Sequence, residues 1–504
     1  MPSGSRDTAD IYMCPGDVRF YWQSGSYDSE DHFVVISSDG EVLFNSETCQ
    51  NYVNGQLVTS VDHDCSTCRR PANLKVVDGD TTTIVMSWRS TGATEYIVAI
   101  APAFGDITPT EYSTTDTVYT FSNLLPDAQY RVSVRGICGI DTSRAATQVV
   151  SPAPRWTPII YVDKYGGSYE SGTSWANALS SLDLALEQSD IYYTFYRRRP
   201  DIWMAAGNYQ LFSSNPSNAD YVIRPGQNVY GGFVGNEPAD YDLQQRDLIS
   251  NQTNIYGGHN NYMYVQNVPF GGDETAYWDG LYFYSGNANL GTLRDNFVLR
   301  NCHIVSSRGY NSVLVAECVS DNSQPSLQNC YILDNNTSES TLSLKNAKME
   351  NCLVSNNSTN MSIVELDSNA MMIHCDVVSN QSWEGGQAVY GSGRGTNIVR
   401  NSVIWNNECD SALAGSLVVD HTAVNGGYPG IGNIDLANTN TGDDALLNYP
   451  NFVDPRLTRD YRINLGSALI DAAVAGVSTD MDGNTRPYGS APDMGCFENQ
   501  GQDV

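Results

Sequence analysis

Glu317, Lys345, Asp367 and Tyr390 each stand fifteen residues after a repeated short motif, a spacing that stacks two carboxylates, an amine and a phenol in one column. The motif is NCHIVSS, NCYILDN, NCLVSNN, HCDVVSN and finally NSVIWNN, marked by Cys302, Cys330, Cys352, Cys375 and Ser402; Leu417 holds the fifth fifteen-residue position. With repeats in register, neighbouring members lie about one strand spacing apart, roughly 4.8 Å. A lysine between two carboxylates, beside a phenol, has the parts to abstract a proton next to a sugar carboxylate, with Tyr390 or Lys345 as base. Glu317 and Asp367, two repeats apart, also approach the roughly 6.5–9.5 Å separation of an inverting glycosidase pair. The simpler reading, a charge-compensated surface ladder, is preferred.

Four other groups have chemical potential. Tyr256, Tyr262, Tyr264, Tyr277, Trp278, Tyr282 and Tyr284 concentrate before the repeats. On an exposed groove such rings suit sugar faces, so Tyr262, Tyr264, Tyr277, Trp278 and Tyr282 are candidate ligand contacts; turned inward they only fill the core. Asp480, Asp482 and Asn484 in DMDGN resemble the first half of a calcium loop, but the acidic residue that should close it is missing, and a tight turn is preferred. No cofactor is expected, with Ca²⁺ the one ion the acidic chain would suit. Cys65 and Cys68 form a CxxC without a second pair, which favours disulfides over zinc, and Cys14 with Cys49 would close a small domain. Arg197, Arg198 and Arg199, a compact basic cluster, are read as partners for local carboxylates.

The balance of 27 basic against 57 acidic residues, a formal charge of −30 over 504 residues, repels a phosphate backbone and argues against nucleic acid. No apolar run reaches the length of a membrane span, and MPSGSRDTAD lacks the regions of a signal peptide. The chain as given is expected to be soluble, any export signal lying outside it. With 41% hydrophobic and 17% charged residues, and turn and strand formers dominant, an all-β chain follows.

The elements that must position the column come from the repeat. The markers are 28, 22, 23 and 27 residues apart. Leu299, Leu327, Met349, Met372 and Val399 precede them by three; Ile304, Ile332, Val354, Val377 and Ile404 follow by two. These read as inward columns, and the marker cysteines as buried free thiols. Asn301, Asn329, Asn351, His374 and Asn401, with a second series Asn335, Asn357, Asn380 and Asn407, suit hydrogen-bonded stacks at left-handed bends. Fourteen residues after the markers, Ala316, Leu344, Leu366, Val389 and Ser416 suggest a constant first part of each repeat. Coils of this length with three short strands make a parallel β-helix. Trp175, Leu179, Leu182 and Leu186 predict a helix over Trp175–Glu187, with Ser174 as N-cap, covering one end.

Four alternating runs, TIVMSWRS, EYIVAIAP, TVYTFSNL and YRVSVRGIC, space like a β-sandwich. With Pro71, Trp88, Leu124, Pro126, Tyr130, Val132 and Val134 in place, this segment resembles a fibronectin type III domain. CPGD at 14–17 and WQSGSY at 22–27 are similar to pieces of secreted Bacteroidetes modules. IYVDKYGGSYESGTSWANAL, IWMAAGNY, NVYGGFVGNE, and the closing YRINLGSALIDAA and DMDGNTRPYGSAPDMGCFE resemble exported Bacteroidetes β-helix proteins of the choice-of-anchor Q type, distant structural relatives of pectin lyases. The resemblance implies a right-handed helix; its members give no activity to transfer. Polyuronate lyases must neutralise substrate carboxylates, yet Lys345 and Lys348 are the only lysines beyond the predicted helix, and the paired aspartates and GHG-like segment of β-helix polygalacturonases are absent.

The expected fold is therefore all-β: a small β-domain over 1–70, a fibronectin type III-like β-sandwich over 71–152, a Pro-rich linker over 153–158, and a right-handed parallel β-helix with an N-terminal helical cap over 159–500. The expected function is a monomeric, extracellular or cell-surface protein that binds a polysaccharide or cell-surface glycan as an adhesin. The rival is a polysaccharide lyase or glycoside hydrolase on the same helix.

Overall fold

The computed structural model describes the strands Gly16–Tyr21, Val34–Ile36, Val42–Asn45 and Leu57–His63 and residues 68–502, apart from 105–106, 127, 168–169, 211–219, 257–263, 268–273, 285–289, 320–323 and 437–449. The chain divides into two compact units, Met1–Arg155 and Trp156–Val504. Cys14, Cys49 and Cys65 lie outside the described residues.

In the first unit a three-stranded sheet, Ala72–Asp80, Thr83–Arg89 and Val118–Phe121, faces a five-stranded one built on Glu95–Pro102 and Tyr130–Cys138. Period-two alternation turns Ile84, Met86 and Trp88 inward against Tyr96, Val98, Val132 and Val134. The Leu125 N–H donates to the Tyr130 hydroxyl at 2.8 Å, the kind of backbone tether that fixes a sandwich corner. A disulfide joins Cys68 to Cys138.

The second unit is a parallel β-solenoid of about eight coils, with two sheets of ten strands and one of eight. A fourth, narrow sheet consists of Arg308–Gly309, Asn336–Thr337, Ser358–Thr359 and Gln381–Ser382. The inward columns lie as the sequence spacing predicts. Leu299, Leu327, Met349, Met372 and Val399 pair in sequence in the first sheet, and Ile304, Ile332, Val354, Val377 and Ile404 in the second. Between them Cys302, Cys330, Cys352 and Cys375 are buried, unbridged thiols. Each donates to the carbonyl two residues earlier, a bond that Ser402 and Thr422 make with hydroxyls in the next coils.

Two bends per coil carry the Asn residues. Asn301, Asn329, Asn351, His374 and Asn401 take left-handed backbone, φ 49–55°. At the next bend the left-handed residue is Ser306, Asp334, Asn356, Ser379 or Asn406; a ladder Asn follows the last four, and Ser307 follows the first. Asn335, Asn357 and Asn380 each donate Nδ2–H to the next Asn Oδ1 at 2.9 Å, ending on Asn407. Their own backbone N–H groups donate to the same oxygens.

The helix starts later than the periodicity predicts. Leu179 pairs through its backbone with Tyr161 and Asp163, so Trp175–Asn177 is only a 3₁₀ turn and Ser174 makes no side-chain cap. The α-helix is Leu182–Tyr196, with Ser181 Oγ accepting from the Leu184 N–H. Leu179 is buried by a strand-like pairing, which extended the helical pattern without a helix beneath it. Leu182, Ala185, Leu186 and Tyr192 join Ile160 and Val162 in the solenoid core.

The C-terminal segment folds back along the side of the solenoid. Phe452, Tyr461, Ile463, Leu469, Met494, Cys496 and Phe497 form a second core with Leu353, Val378, Val403 and Ala423, outward residues of the second sheet.

Replacing Asn357 by Ala leaves Asn335 N–H, Asn335 Nδ2, Asn380 Oδ1 and Ile332 O each short of a partner. At about 1–3 kcal/mol for each group left unsatisfied, a loss of roughly 3 kcal/mol or more is expected in urea unfolding. Thiol mapping should find Cys302, Cys330, Cys352 and Cys375 reduced and unreactive until the chain unfolds, and Cys68 bonded to Cys138. A Cys330 to Cys352 bridge would contradict the column.

Candidate functional site

Glu317, Lys345 and Asp367 do form one column. They pair in sequence across the third sheet, on Leu314–Glu317, Leu342–Lys345 and Val364–Asp367, with their side chains outward. Tyr390 does not continue it. Asp367 pairs with Ser392, and Tyr390 stands above Glu365 in the neighbouring outward column. Two extra residues between Ser382 and Val389 cause the offset, so Gly391 rather than Val389 continues the Ala316, Leu344, Leu366 column. In the following coil Ser416 lies past the third-sheet strand Ser411–Gly415, and Leu417 begins a first-sheet strand.

The electrostatics favour a ladder. Arg294 Nε binds Glu317 Oε1 at 2.6 Å, Asp367 accepts from Ser368 Oγ at 2.7 Å, and Glu365 accepts from Ser392 Oγ at 2.8 Å. Lys345 is exposed and lies between Glu317 and Asp367, the space that an inverting pair must leave for water. Tyr390 is 36% exposed and has shifted away from the column in which it would serve Lys345.

The aromatic candidates are mostly structural. Trp278, 1% exposed, packs inside the solenoid against Phe283 and Phe297. Tyr282 is buried, stacks on His303 at 4.1 Å, and donates its hydroxyl to Leu248 O; His303 stacks on Tyr331 at 4.3 Å. Burial pushes the His303 imidazole down to about 4, so it stays neutral between the two rings. Tyr277 is half-buried beneath the Arg300 guanidinium. Tyr262 and the Tyr264 side chain lie outside the described residues. Of the Arg triplet, Arg199 binds Asp190 at 2.8 Å, Arg198 lies over Trp156, and Arg197 ends the helix in left-handed backbone.

The DMDGN segment is a tight turn beside the second sheet. Asp480 Oδ1 accepts from Asn484 N–H, and Oδ2 from Asn484 Nδ2 and Glu498 N–H. These N–H donors satisfy the carboxylate where a calcium loop would present oxygens to an ion.

The same C-terminal segment holds a buried ionisable cluster that periodicity did not reveal. Arg486 contacts His374 Nδ1 and donates to Gly495 O at 3.0 Å. Asp376 accepts from Cys496 N–H and Sγ, each at 3.2 Å. Burial, then Arg486, pushes His374 down to about 3. Burial pushes Asp376 up to about 7, against the Cys496 hydrogen bonds and Arg486.

An unpredicted feature lies beside the narrow sheet. Asn356, Ser358, Ser379, Gln381, Asn406 and Glu408 line an open polar groove of about 320 Å³. Trp383, 64% exposed, donates Nε1–H to Ser358 Oγ at 2.7 Å. Its signal in the sequence was a lone Trp inside QSWEGG, where the segment with the two extra residues begins.

The fibronectin type III family matches residues 69–150. That segment is a fibronectin type III domain. Its similar solved structures include the fn3 domain of human collagen alpha-1(XX) chain, at 26% identity over 18% of this chain and 86% of that one, TM-score 0.16. The FN5 domain of Drosophila Lar is 21% identical over 17% of this chain and 97% of its own, TM-score 0.15. No curated protein matches the chain.

A carboxyl raised in the folded state keeps a proton that the unfolded chain releases, so Asp376 costs stability as pH rises from about 4 to about 7. Asp376→Asn removes that loss. The variant should gain on the parent by about 2 kcal/mol or more between pH 4 and pH 8, read from urea midpoints. An advantage that is the same at both pH values would show that Asp376 is ionised in the folded chain.

Proposed function

We propose that this protein is an exported, ligand-binding β-helix that holds an extended glycan along its open flank. The observation that carries this reading is the unequal treatment of the faces. The C-terminal segment covers the outer face of the second sheet, while the third sheet and the adjoining groove present polar side chains repeated once per coil. The fibronectin type III domain and the Cys68–Cys138 disulfide support an extracellular or cell-surface setting, since disulfides persist in oxidising compartments. Among the described residues no helix is long and apolar enough to cross a membrane. The closing motifs and IYVDKYGGSYESGTSWANAL support a right-handed, choice-of-anchor Q type helix with Leu182–Tyr196 as its cap. The fibronectin type III domain serves as spacer or adhesion module.

Binding is favoured over cleavage because Lys345 separates the carboxylates and Tyr390 has left their column. The acidic surface favours neutral glycans. The test is a glycan array on the whole chain, followed by reducing-end and unsaturated-product assays on every binder. Lys345→Ala should change stability by less than about 1 kcal/mol and leave affinity unchanged. Cleavage of a bound glycan that disappears in Lys345→Ala, with unchanged melting, would establish the enzyme instead.

A further inference from the structure

We infer that the flank beside the narrow sheet is the glycan subsite, and that it takes a neutral, extended saccharide running parallel to the solenoid axis between Tyr310 and Trp383. The inference rests on the glycan reading above and assigns its location, which the sequence did not.

Register supplies the first argument. Arg308, Asn336, Ser358 and Gln381 form one outward row, and Gln381 bridges on to Glu408. Two residues further along, period-two alternation returns Tyr310 and Trp383 to the same outward side. Ser338 N–H bonds to Gly309 O and Trp383 N–H to Thr359 O, carrying the register to that position. Tyr310 is 86% exposed. The two rings are three coils apart, about 14 Å at one strand spacing per coil.

The chemistry between the rings supplies the second. Asn336, Ser358 and Gln381 put amides and a hydroxyl along the row, and the adjoining groove continues past Trp383 with Ser379 and Asn406; such groups donate and accept, as pairs of sugar hydroxyls require. An extended chain of equatorially linked pyranoses advances per residue by close to one coil, so successive sugars meet equivalent groups. The bond from Trp383 to Ser358 fixes one ring against the groove wall while most of its surface stays in solvent, where a sugar's C–H face can stack. Within that row charge is confined to Arg308 at one end and Glu408 at the other, and Glu408 accepts from Gln381 Nε2 at 2.9 Å; Glu339 and Glu384 are exposed on neighbouring positions, and Asp334 is paired with Arg459. The row positions between the ends, Asn336, Ser358 and Gln381, are uncharged, and the flanking charges are mostly acidic, which favours a neutral ligand over an anionic one.

The experiment is calorimetric titration of the full chain with cellopentaose, xylopentaose and mannopentaose and the matching disaccharides, using the parent, Trp383→Ala, Tyr310→Ala, Gln381→Ala and the control Lys345→Ala. At least one pentaose should bind the parent. Trp383→Ala should weaken it about tenfold or more, as removal of a central aromatic contact does. Tyr310→Ala should weaken the pentaose but not the disaccharide, which is too short to reach from Trp383. Gln381→Ala should weaken both, and Lys345→Ala neither. Pentaose binding unchanged in Trp383→Ala and Tyr310→Ala, with melting unchanged, would overturn this subsite while leaving the glycan reading intact. If no neutral saccharide binds the parent, or only polygalacturonate does, the neutral assignment fails; if no glycan of any kind binds, the functional reading fails with it.

Discussion

Every coil of the solenoid reverses direction inside a packed stack, and each reversal leaves backbone N–H and C=O groups that water cannot reach. The buried Asn ladder meets that constraint. Asn357 takes its Oδ1 bonds from the coil before and sends Nδ2–H both to Asn380 and back to Ile332 O, so one amide serves three coils. An aliphatic residue of similar size would leave those groups unpaired, at about 1–3 kcal/mol each. The ladder also fixes spacing. Side chains that must bond at 2.9 Å to their equivalents hold successive strands in line, and the columns of Leu, Ile and Cys can then close without voids.

Much of this was legible in the sequence because the stack imposes period on both bends and core. The marker thiols, the aliphatic columns and the Asn positions follow directly from one-coil spacing. Two errors show where periodicity loses information. An insertion of two residues, between Ser382 and Val389, preserves inward and outward alternation, so Val389 still points inward and Tyr390 outward although both have slipped along the strand. An odd insertion would have betrayed itself by burying a polar residue. The helix boundary failed for a related reason: Leu179 is buried as the helical pattern requires, but by backbone pairing with Tyr161 and Asp163.

The return of the C-terminal segment was harder to read, since nothing in a repeat says what lies outside it. A signal was nevertheless present. Leu353, Val378, Val403 and Trp405 are apolar at outward positions, where an uncovered sheet would carry polar side chains. The covering segment brings its own polar groups, and burial of Asp376 and His374 beneath it opposes their charges. The His374 and Asp376 shifts work in opposite senses. Protonation of the unfolded imidazole costs stability as pH falls below about 6.5, and ionisation of the unfolded carboxyl costs it as pH rises above about 4. Neither group favours the covered arrangement through its own charge; apolar packing, hydrogen bonds such as Asn351 Nδ2 to Thr479 O, and the Arg459–Asp334 ion pair tie the segment down.

Coverage of one face changes what the others can do. A solenoid repeats its outward chemistry along its length, so any uncovered face is a row of equivalent groups suited to a repeating ligand. The second sheet is withdrawn from that role by Phe452, Tyr461 and Phe497, and the outer face of the first sheet near its start by Trp175, Tyr241 and Leu243 packed on Trp203, Tyr230 and Phe233. The third sheet and the narrow sheet beside it keep their rows open. On the third sheet, Arg294 pairs with Glu317, and serine hydroxyls bond Asp367 and Glu365. The narrow sheet differs: between Arg308 and Glu408 its outward row is amide and hydroxyl, and Trp383 stands beside that row in the segment that carries the two-residue insertion. An irregularity in the repeat thus sits where a uniform stack would have no means to fix the position of a repeating chain.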